Sequence, residues 1–254
     1  MAVNPGIDGP SSQADGPETT RMNIRPGKDV GVGWKGSSSR GEYLHFRVVH
    51  FLLAAGTLVL LSPLLLVLSV LIKLDSPGPV IFRQTRIGRD RRGDPTDKRP
   101  DGRREMNLGG RPFTIFKFRT MRVDAEEASG PVWAKKDDLR VTRLGRWLRA
   151  TRVDEIPQLW NVVRGDMSIV GPRPERPAFV STLNGTLEAY PLRHRVLPGI
   201  TGWAQVNHGY DQTIKDVQRK LELDLEYLDR RSTVEDFKIM ARTVPVMVFK
   251  QGSV

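Results

Sequence analysis

The sequence predicts a membrane-associated α/β protein, in which an apolar membrane helix interrupted near its middle precedes a compact, non-Rossmann α/β domain with amphipathic surface helices. Three observations predict it. Between Arg47 and Lys73 lie 25 residues without a formal charge, ten of them leucine. Two short extended segments, 80–82 and 113–119, then flank a basic, glycine-rich stretch. From residue 144 onward, apolar residues recur at helical spacings of three and four.

Residues 1–42 are rich in Gly, Pro, Ser and Asp and lack a sustained apolar period, so they are expected to form a disordered tail. The tail contains Gly31-Val32-Gly33-Trp34-Lys35-Gly36, a formal match to a dinucleotide-binding pattern. No strand precedes it and Ser37-Ser38-Ser39 follow in place of a helix, so the match is read as chance.

Residues 43–74 form the membrane element. Its uncharged run would reach roughly 37 Å as one helix, and it begins too late to be a cleaved signal peptide. Ten leucines at about −0.5 kcal/mol each outweigh the ~3 kcal/mol that Pro63 costs a helix interior. Arg40 and Arg47 flank one end while Lys73, Arg83 and Arg86 flank the other, so neither end is marked as the outer one. Ser62-Pro63 sits near the centre, where proline removes an amide and bends a helix. The residues alone weight two readings equally: a re-entrant helix–break–helix hairpin in one leaflet, and a proline-kinked spanning helix.

Residues 75–254 make the polar body, entered through the turn cluster Ser76-Pro77-Gly78-Pro79. In the second extended segment, Lys117 and Arg119 share one face by the period of two. The 89–110 insertion is a Gly/Pro/Asp/Arg-rich loop, either solvated or touching lipid headgroups. Thr142 is placed to cap a helix carrying Leu144, Trp147 and Leu148. Ile156, Leu159, Trp160 and Val163 form a second stripe that Gly165 stops, and Ile214, Val217, Leu221, Leu225 and Leu228 a third. The apolar piece at 237–249, interrupted by Pro245, suits either the core or a membrane surface.

Forty Lys and Arg against 29 Asp and Glu give a net charge of +11, favouring polyanionic partners: nucleic acid, anionic lipid or phosphate-bearing substrates. Within 83–122 there are thirteen basic residues against five acidic ones. The absence of cysteine excludes disulfides, thiolate metal sites and cysteine nucleophiles. No Asp-x-Asp and no Walker A sequence occurs, and the four histidines lack metal-site spacing.

The chemistry concentrates at Asp154 and Glu155, expected at the start of a helix whose amide ends favour anions and whose first turn tolerates Pro157. A bland reading is capping, worth about 1 kcal/mol. The basic surroundings favour more: Lys117 and Arg119 on a strand, Arg149 shortly before the acids, and Arg173 held between two prolines in Gly171-Pro172-Arg173-Pro174. A carboxylate can attack a phosphoryl group when Arg, Lys and usually Mg²⁺ offset the converging negative charge. A neighbouring carboxylate can bind the metal or act as a base.

Taken in order, Ser62-Pro63 in a membrane helix, SPGPVIFRQTRIG, RPFTIFKFRTM, VDEIPQLWNVVRGDMSIVGPRP and PGITGWAQV resemble the bacterial sugar transferase family of monotopic phosphoglycosyl transferases, over about residues 45–250. The resemblance implies transfer of a sugar-1-phosphate from a UDP-sugar to undecaprenyl phosphate, at the cytoplasmic face of the bacterial inner membrane, by a ping-pong route with Mg²⁺ in which UMP leaves first. It implies Asp154 as the nucleophile and Glu155 as its partner, both candidate metal ligands, with Lys117, Arg149 and Arg173 binding phosphate. It assigns Asp166 a structural role. It favours the hairpin broken at Ser62-Pro63, and the compact catalytic form without an N-terminal membrane bundle. The 89–110 insertion departs from the family's short turn. The expected partners are UDP-sugar, undecaprenyl phosphate and membrane lipid, with no nucleic acid; oligomeric state, including a homodimer, and the identity of the sugar stay open. The competing reading is a membrane-tethered basic module binding nucleic acid or anionic lipid, against which only 7% of residues are aromatic.

Overall fold

A computed structural model of the chain describes residues 40–90, 108–123, 125, 138–209 and 213–248. The architecture is mixed α/β. The expected tail at 1–42 lies outside the described residues except for 40–42, which already belong to the first helix. Most of the 89–110 loop lies outside them too.

Helix α1, Arg40–Asp75, runs through Pro63 as one 36-residue helix, and its stretch Leu44–Asp75 is long and apolar enough to cross a membrane. Proline at 63 has no amide to offer the carbonyl four residues earlier, that of Val59. The Ser62 hydroxyl donates to that carbonyl at 2.8 Å. Ser62 thus supplies the hydrogen bond that its neighbour Pro63 removes, and the helix continues through the proline.

Both ends of α1 dock on the same body. Near its start, Arg47 donates Nη1 to the Val162 carbonyl at 2.6 Å and Nη2 to that of Val163 at 3.0 Å. His50 Nδ1 meets Ser168 Oγ, and Nε2 lies 3.1 Å from Asp236. The Ile169 amide also donates to Nδ1; an amide can only donate, so Nδ1 is the acceptor in that bond. Ala54 packs with Ile115, Val162 and Met167. Toward the other end, Leu68 and Ile72 pack with Phe118 and Leu148. Between these anchors, Val59 and Leu60 are 75% and 77% exposed.

The hairpin β1 (Ile81–Ile87) and β2 (Pro112–Phe118) is antiparallel, with Ile81 opposite Phe118 and Arg83 opposite Phe116. Helix α2 (Arg143–Ala150) opens on the expected Thr142 cap, whose side chain accepts from the Gly145 amide. Helix α3 (Gln158–Arg164) ends at Gly165 in the left-handed region, φ 85°. A Cβ on Gly165 would come within 2.7 Å of the Arg47 guanidinium, so glycine there both ends α3 and admits the arginine that holds α1.

The short strands β3 (Ser168–Val170) and β4 (Gly199–Thr201) pair in parallel. Helices α4 (Pro177–Thr186) and α6 (Ile214–Arg230) enclose the largest apolar cluster, with Val180, Leu183, Leu187, Tyr190, Val217 and Leu221 buried. Short α5 (Trp203–Asn207) and α7 (Thr233–Val248) complete the body. In α7 the two sequence readings divide between faces. Ile239 and Asp236 are buried, whereas Val234, Phe237 and Val244 form an exposed apolar stripe.

Candidate active site

Asp154 and Glu155 sit in a single 3₁₀ turn, Val153–Glu155, and not at the amide end of α3 as the sequence suggests. The reason is local. Arg152 takes the left-handed conformation, φ 54°, and is the only non-glycine residue with positive φ among the described residues. It reverses the chain as it leaves α2, so the next residues wind tightly, with Glu155 N bonded to Arg152 O and Ile156 N to Val153 O. Pro157 then occupies the N-cap position of α3, and no side-chain cap is made. The capping role is therefore excluded for both acids.

Both acids are buried, at 7% and 8% exposure. Glu155 is gripped from two sides. Arg173 reaches it with Nη2 2.6 Å from Oε1 and Nη1 3.2 Å from Oε2, and Lys117 Nζ lies 2.9 Å from Oε1. Burial alone would raise the Glu155 pKa, but Arg173 and then Lys117 outweigh it and hold the carboxyl well below its usual range. Asp154 has no hydrogen bond or ion pair with these cations. Burial first, and the Glu155 charge second, push its pKa up to about 6 against partial opposition from Lys117, Arg149 and Arg173. Burial also lowers Lys117 from the ordinary lysine value, with Glu155 opposing. Two adjacent carboxyls in one turn are thereby made chemically unlike.

Of the expected phosphate-binding residues, Lys117 and Arg173 converge directly on the pair. Arg149 lies at its edge: its charge acts on Asp154, while its Nε donates to Thr120 Oγ1 at 2.9 Å. Arg119 departs from expectation. The strand ends at Phe118, so the period of two does not carry past it; the Arg119 guanidinium instead binds the carbonyls of Ile72, Ser76 and Pro77 and closes off α1. Asp166 lies outside the pair and forms a partly exposed ion pair with Arg164 at 3.3 Å.

Several supports escaped the sequence reading. Asn161, fully buried, accepts from the Phe116 amide at 3.1 Å and donates to the Thr114 carbonyl at 2.7 Å, tying α3 to β2 just before Lys117. The Arg173 backbone is held in turn: Arg193 donates to its carbonyl at 2.9 Å, and Arg86 to that of Pro174 at 3.1 Å. Arg86 and Lys220 both pair with Glu175, Lys220 at 2.7 Å, and Arg193 pairs with Asp224 at 2.7 Å. Gly171 and Gly199 explain why two of the motifs carry glycine. A Cβ on Gly171 would lie 2.4 Å from the Leu197 carbonyl, and one on Gly199 only 2.1 Å from the Gly171 amide. The backbones of β3 and β4 meet closely there and fix where Arg173 emerges.

Among the described residues, no group of three or more His, Cys, Asp or Glu side chains could by itself hold a metal ion. Mg²⁺, however, commonly keeps several waters and binds through one or two carboxylates plus substrate phosphates. The pair meets that minimum, with Asp154 the open ligand.

The site is thus a buried carboxylate pair set among fixed cations, on a body that holds both ends of a long apolar helix. The family model for bacterial sugar transferases matches residues 42–250, and the chain belongs to that family. It is 42% identical over 200 residues to the UDP-glucose:undecaprenyl-phosphate glucose-1-phosphate transferase of Escherichia coli K12, covering 78% of this chain and 39% of the relative. It is 41% identical over 207 residues to the UDP-N-acetylgalactosamine-undecaprenyl-phosphate N-acetylgalactosaminephosphotransferase of Aeromonas hydrophila, covering 82% and 44%. A glucose-1-phosphate transferase of Caulobacter vibrioides is 39% identical over 235 residues, covering 92% and 78%. The chain thus spans under half the length of the first two and most of the third.

Proposed function

We propose that the protein transfers a sugar-1-phosphate from a UDP-sugar to undecaprenyl phosphate through a covalent adduct on Asp154. The observation that carries this reading is the division of labour in the pair: Glu155 engages Arg173 and Lys117, leaving Asp154 beside it with its oxygens uncommitted. The substrates come from what the named relatives act on.

An Asp154 oxygen attacks the β-phosphorus, the one bearing the sugar. The new P–O bond forms as the bond to the bridging oxygen of the α-phosphate breaks, and UMP leaves. An oxygen of undecaprenyl phosphate then attacks the same phosphorus, the Asp154 carboxylate departs, and undecaprenyl diphosphate–sugar is released. Arg173 and Lys117 stand where the phosphate charge gathers, and Glu155 keeps both preorganised, so little reorganisation is needed as that charge develops. Arg149 adds charge on the Asp154 side. Asp154 and Glu155 would hold a Mg²⁺ ion that accompanies the diphosphate. When bound, the ion offsets negative charge on the bridging and terminal oxygens.

The same reading places α1 as a re-entrant helix and the body at the cytoplasmic face of the inner membrane. Its support is that both ends of α1 are anchored to one polar domain while Val59 and Leu60, midway, are exposed.

The test is incubation with UDP-glucose or UDP-N-acetylgalactosamine, with and without undecaprenyl phosphate. A stoichiometric burst of UMP without acceptor, and turnover with it, is expected. Release of UDP would identify instead a glycosyltransferase that leaves phosphate on the nucleotide, and no nucleotide release would favour a basic binding module.

A further inference from the structure

A groove runs between α1, β2 and α3, and neither Asp154 nor Glu155 is among the residues that line it. It encloses about 910 Å³ and is walled by Leu58, Leu65 and Leu66 of α1, Phe116 and Phe118 of β2, and Trp160 of α3. A second, polar cavity of about 240 Å³ adjoins it, since Thr114 and Arg164 line both. There Arg89 and Arg111 join Arg164, against a single lining carboxylate, Asp166. Arg83 and Arg164 flank the Phe116 ring, each guanidinium carbon 5.9 Å from its centroid. The trough is therefore apolar along its length and cationic at one end.

We infer that this trough binds an anionic phospholipid of the surrounding bilayer, one acyl chain in the groove and the headgroup phosphate among Arg164, Arg111 and Arg89. Depth supports this occupant. Arg47, the last charge before the uncharged run of α1, binds the carbonyls of Val162 and Val163, next to Arg164. Arg164 thus stands where α1 enters the apolar layer, the level of lipid headgroups. Position argues against the reacting phosphate. Lys117 lies near the far end of β2 from Pro112, roughly 17 Å away at ~3.3 Å per residue. Asp154 precedes α3, whose far end carries Arg164. The polar cavity of Arg89, Arg111 and Arg164 has none of Asp154, Glu155, Lys117, Arg149 or Arg173 in its lining, so a phosphate held there occupies a second site. The inference rests on the membrane reading of α1 and uses no step of the transfer chemistry.

The full chain would be purified into phosphatidylcholine nanodiscs with or without a minor fraction of photoactivatable phosphatidylglycerol, and cross-linking and native mass spectrometry would report the lipid retained. Phosphatidylglycerol is expected to be retained over phosphatidylcholine and to cross-link within 58–66 and 111–118. Retention should fall about fivefold for Arg164→Gln and further for Arg111→Gln with Arg164→Gln, at the scale of one interfacial charge each. Arg164→Lys should restore most of it, and UMP release should stay within about twofold of wild type in each variant. Exposed Arg83→Gln, which leaves the buried packing untouched, should weaken retention in the same direction. Equal retention of both phospholipids, or loss of the cross-link when undecaprenyl phosphate is added, would overturn the assignment; the latter would give the trough to the acceptor. Inorganic phosphate that displaces the lipid completely would also contradict it, because a headgroup site alone would then suffice.

Discussion

Arg173 holds Glu155 through both carboxylate oxygens, Nη2 to Oε1 at 2.6 Å and Nη1 to Oε2 at 3.2 Å, and so settles which member of the acidic pair is committed. The planar fork of arginine fits a carboxylate in a way that an ammonium group cannot. Arg173→Lys is therefore predicted to keep the charge but lose one of the two bonds, lowering kcat/KM for the UDP-sugar by about 10- to 100-fold. Steady-state kinetics check this; an unchanged kcat/KM would mean that charge alone suffices at this position.

The carboxyl of Asp154, raised to about 6 by burial and by Glu155, sets an acid limit on activity. The nucleophile is the ionised form, so kcat/KM should fall about tenfold for each pH unit below about 6. Glu155→Gln removes the second of the two causes and leaves burial in place. In that variant the acid limb should move to lower pH, whatever the loss in absolute rate, as pH–rate profiles of both proteins would show.

Stability should run opposite to activity at the same residue. Because the folded-state pKa of Asp154 lies above the unfolded value near 3.8, the folded protein binds more protons across that interval. Stability contributed by the protonated acid is present at low pH and lost as pH rises toward 6. Asp154→Asn cannot ionise, so it should be more stable than wild type above about pH 6, on the order of 2–3 kcal/mol, with the gain vanishing near pH 4. Thermal unfolding at several pH values, beside UMP release that is abolished, separates the two roles.

Gly145 lies where α2 crosses the chain at Thr120: a Cβ there would come within 2.1 Å of the Thr120 carbonyl. Gly145→Ala should shift α2, loosen the bond from Arg149 to the Thr120 hydroxyl, and destabilise the domain by about 1–3 kcal/mol. Chemical denaturation measures the loss. The same variant should raise KM, since Arg149 moves from the Asp154 side of the site.

The membrane reading is tested with the sequence's own lack of cysteine. Single cysteines at Leu44 and Leu74, near the two ends of α1, should both be labelled by an impermeant maleimide only after the inner membrane is opened. Labelling of one of them in intact spheroplasts would make α1 a spanning helix.

What the sequence made legible was local. Thr142 and Gly165 bound their helices because capping is decided within a few residues, and Leu148, Val217, Leu221 and Leu228 face the core as their spacing requires, whereas α3 buries Gln158, Asn161 and Val162 and leaves Trp160 of the expected stripe exposed. The acidic pair was found from its residue types and basic company, but not its turn, because the left-handed Arg152 that reverses the chain leaves no composition signal. Arg119 was misplaced because the period of two holds only while the strand lasts. The network of Arg86, Glu175, Lys220, Arg193 and Asp224 joins residues far apart in the chain, and no spacing rule brings them together. The proline in α1 was visible; that Ser62 answers the Val59 carbonyl follows from counting back four residues and could have been read in advance.

The most direct test of the account is mass spectrometry of the peptide containing Asp154 after brief exposure to a UDP-sugar without acceptor. A mass increase of one sugar phosphate, mapped to Asp154, absent in Asp154→Asn and discharged by undecaprenyl phosphate, is predicted. An unmodified peptide, together with initial rates that require both substrates bound at once, would contradict it.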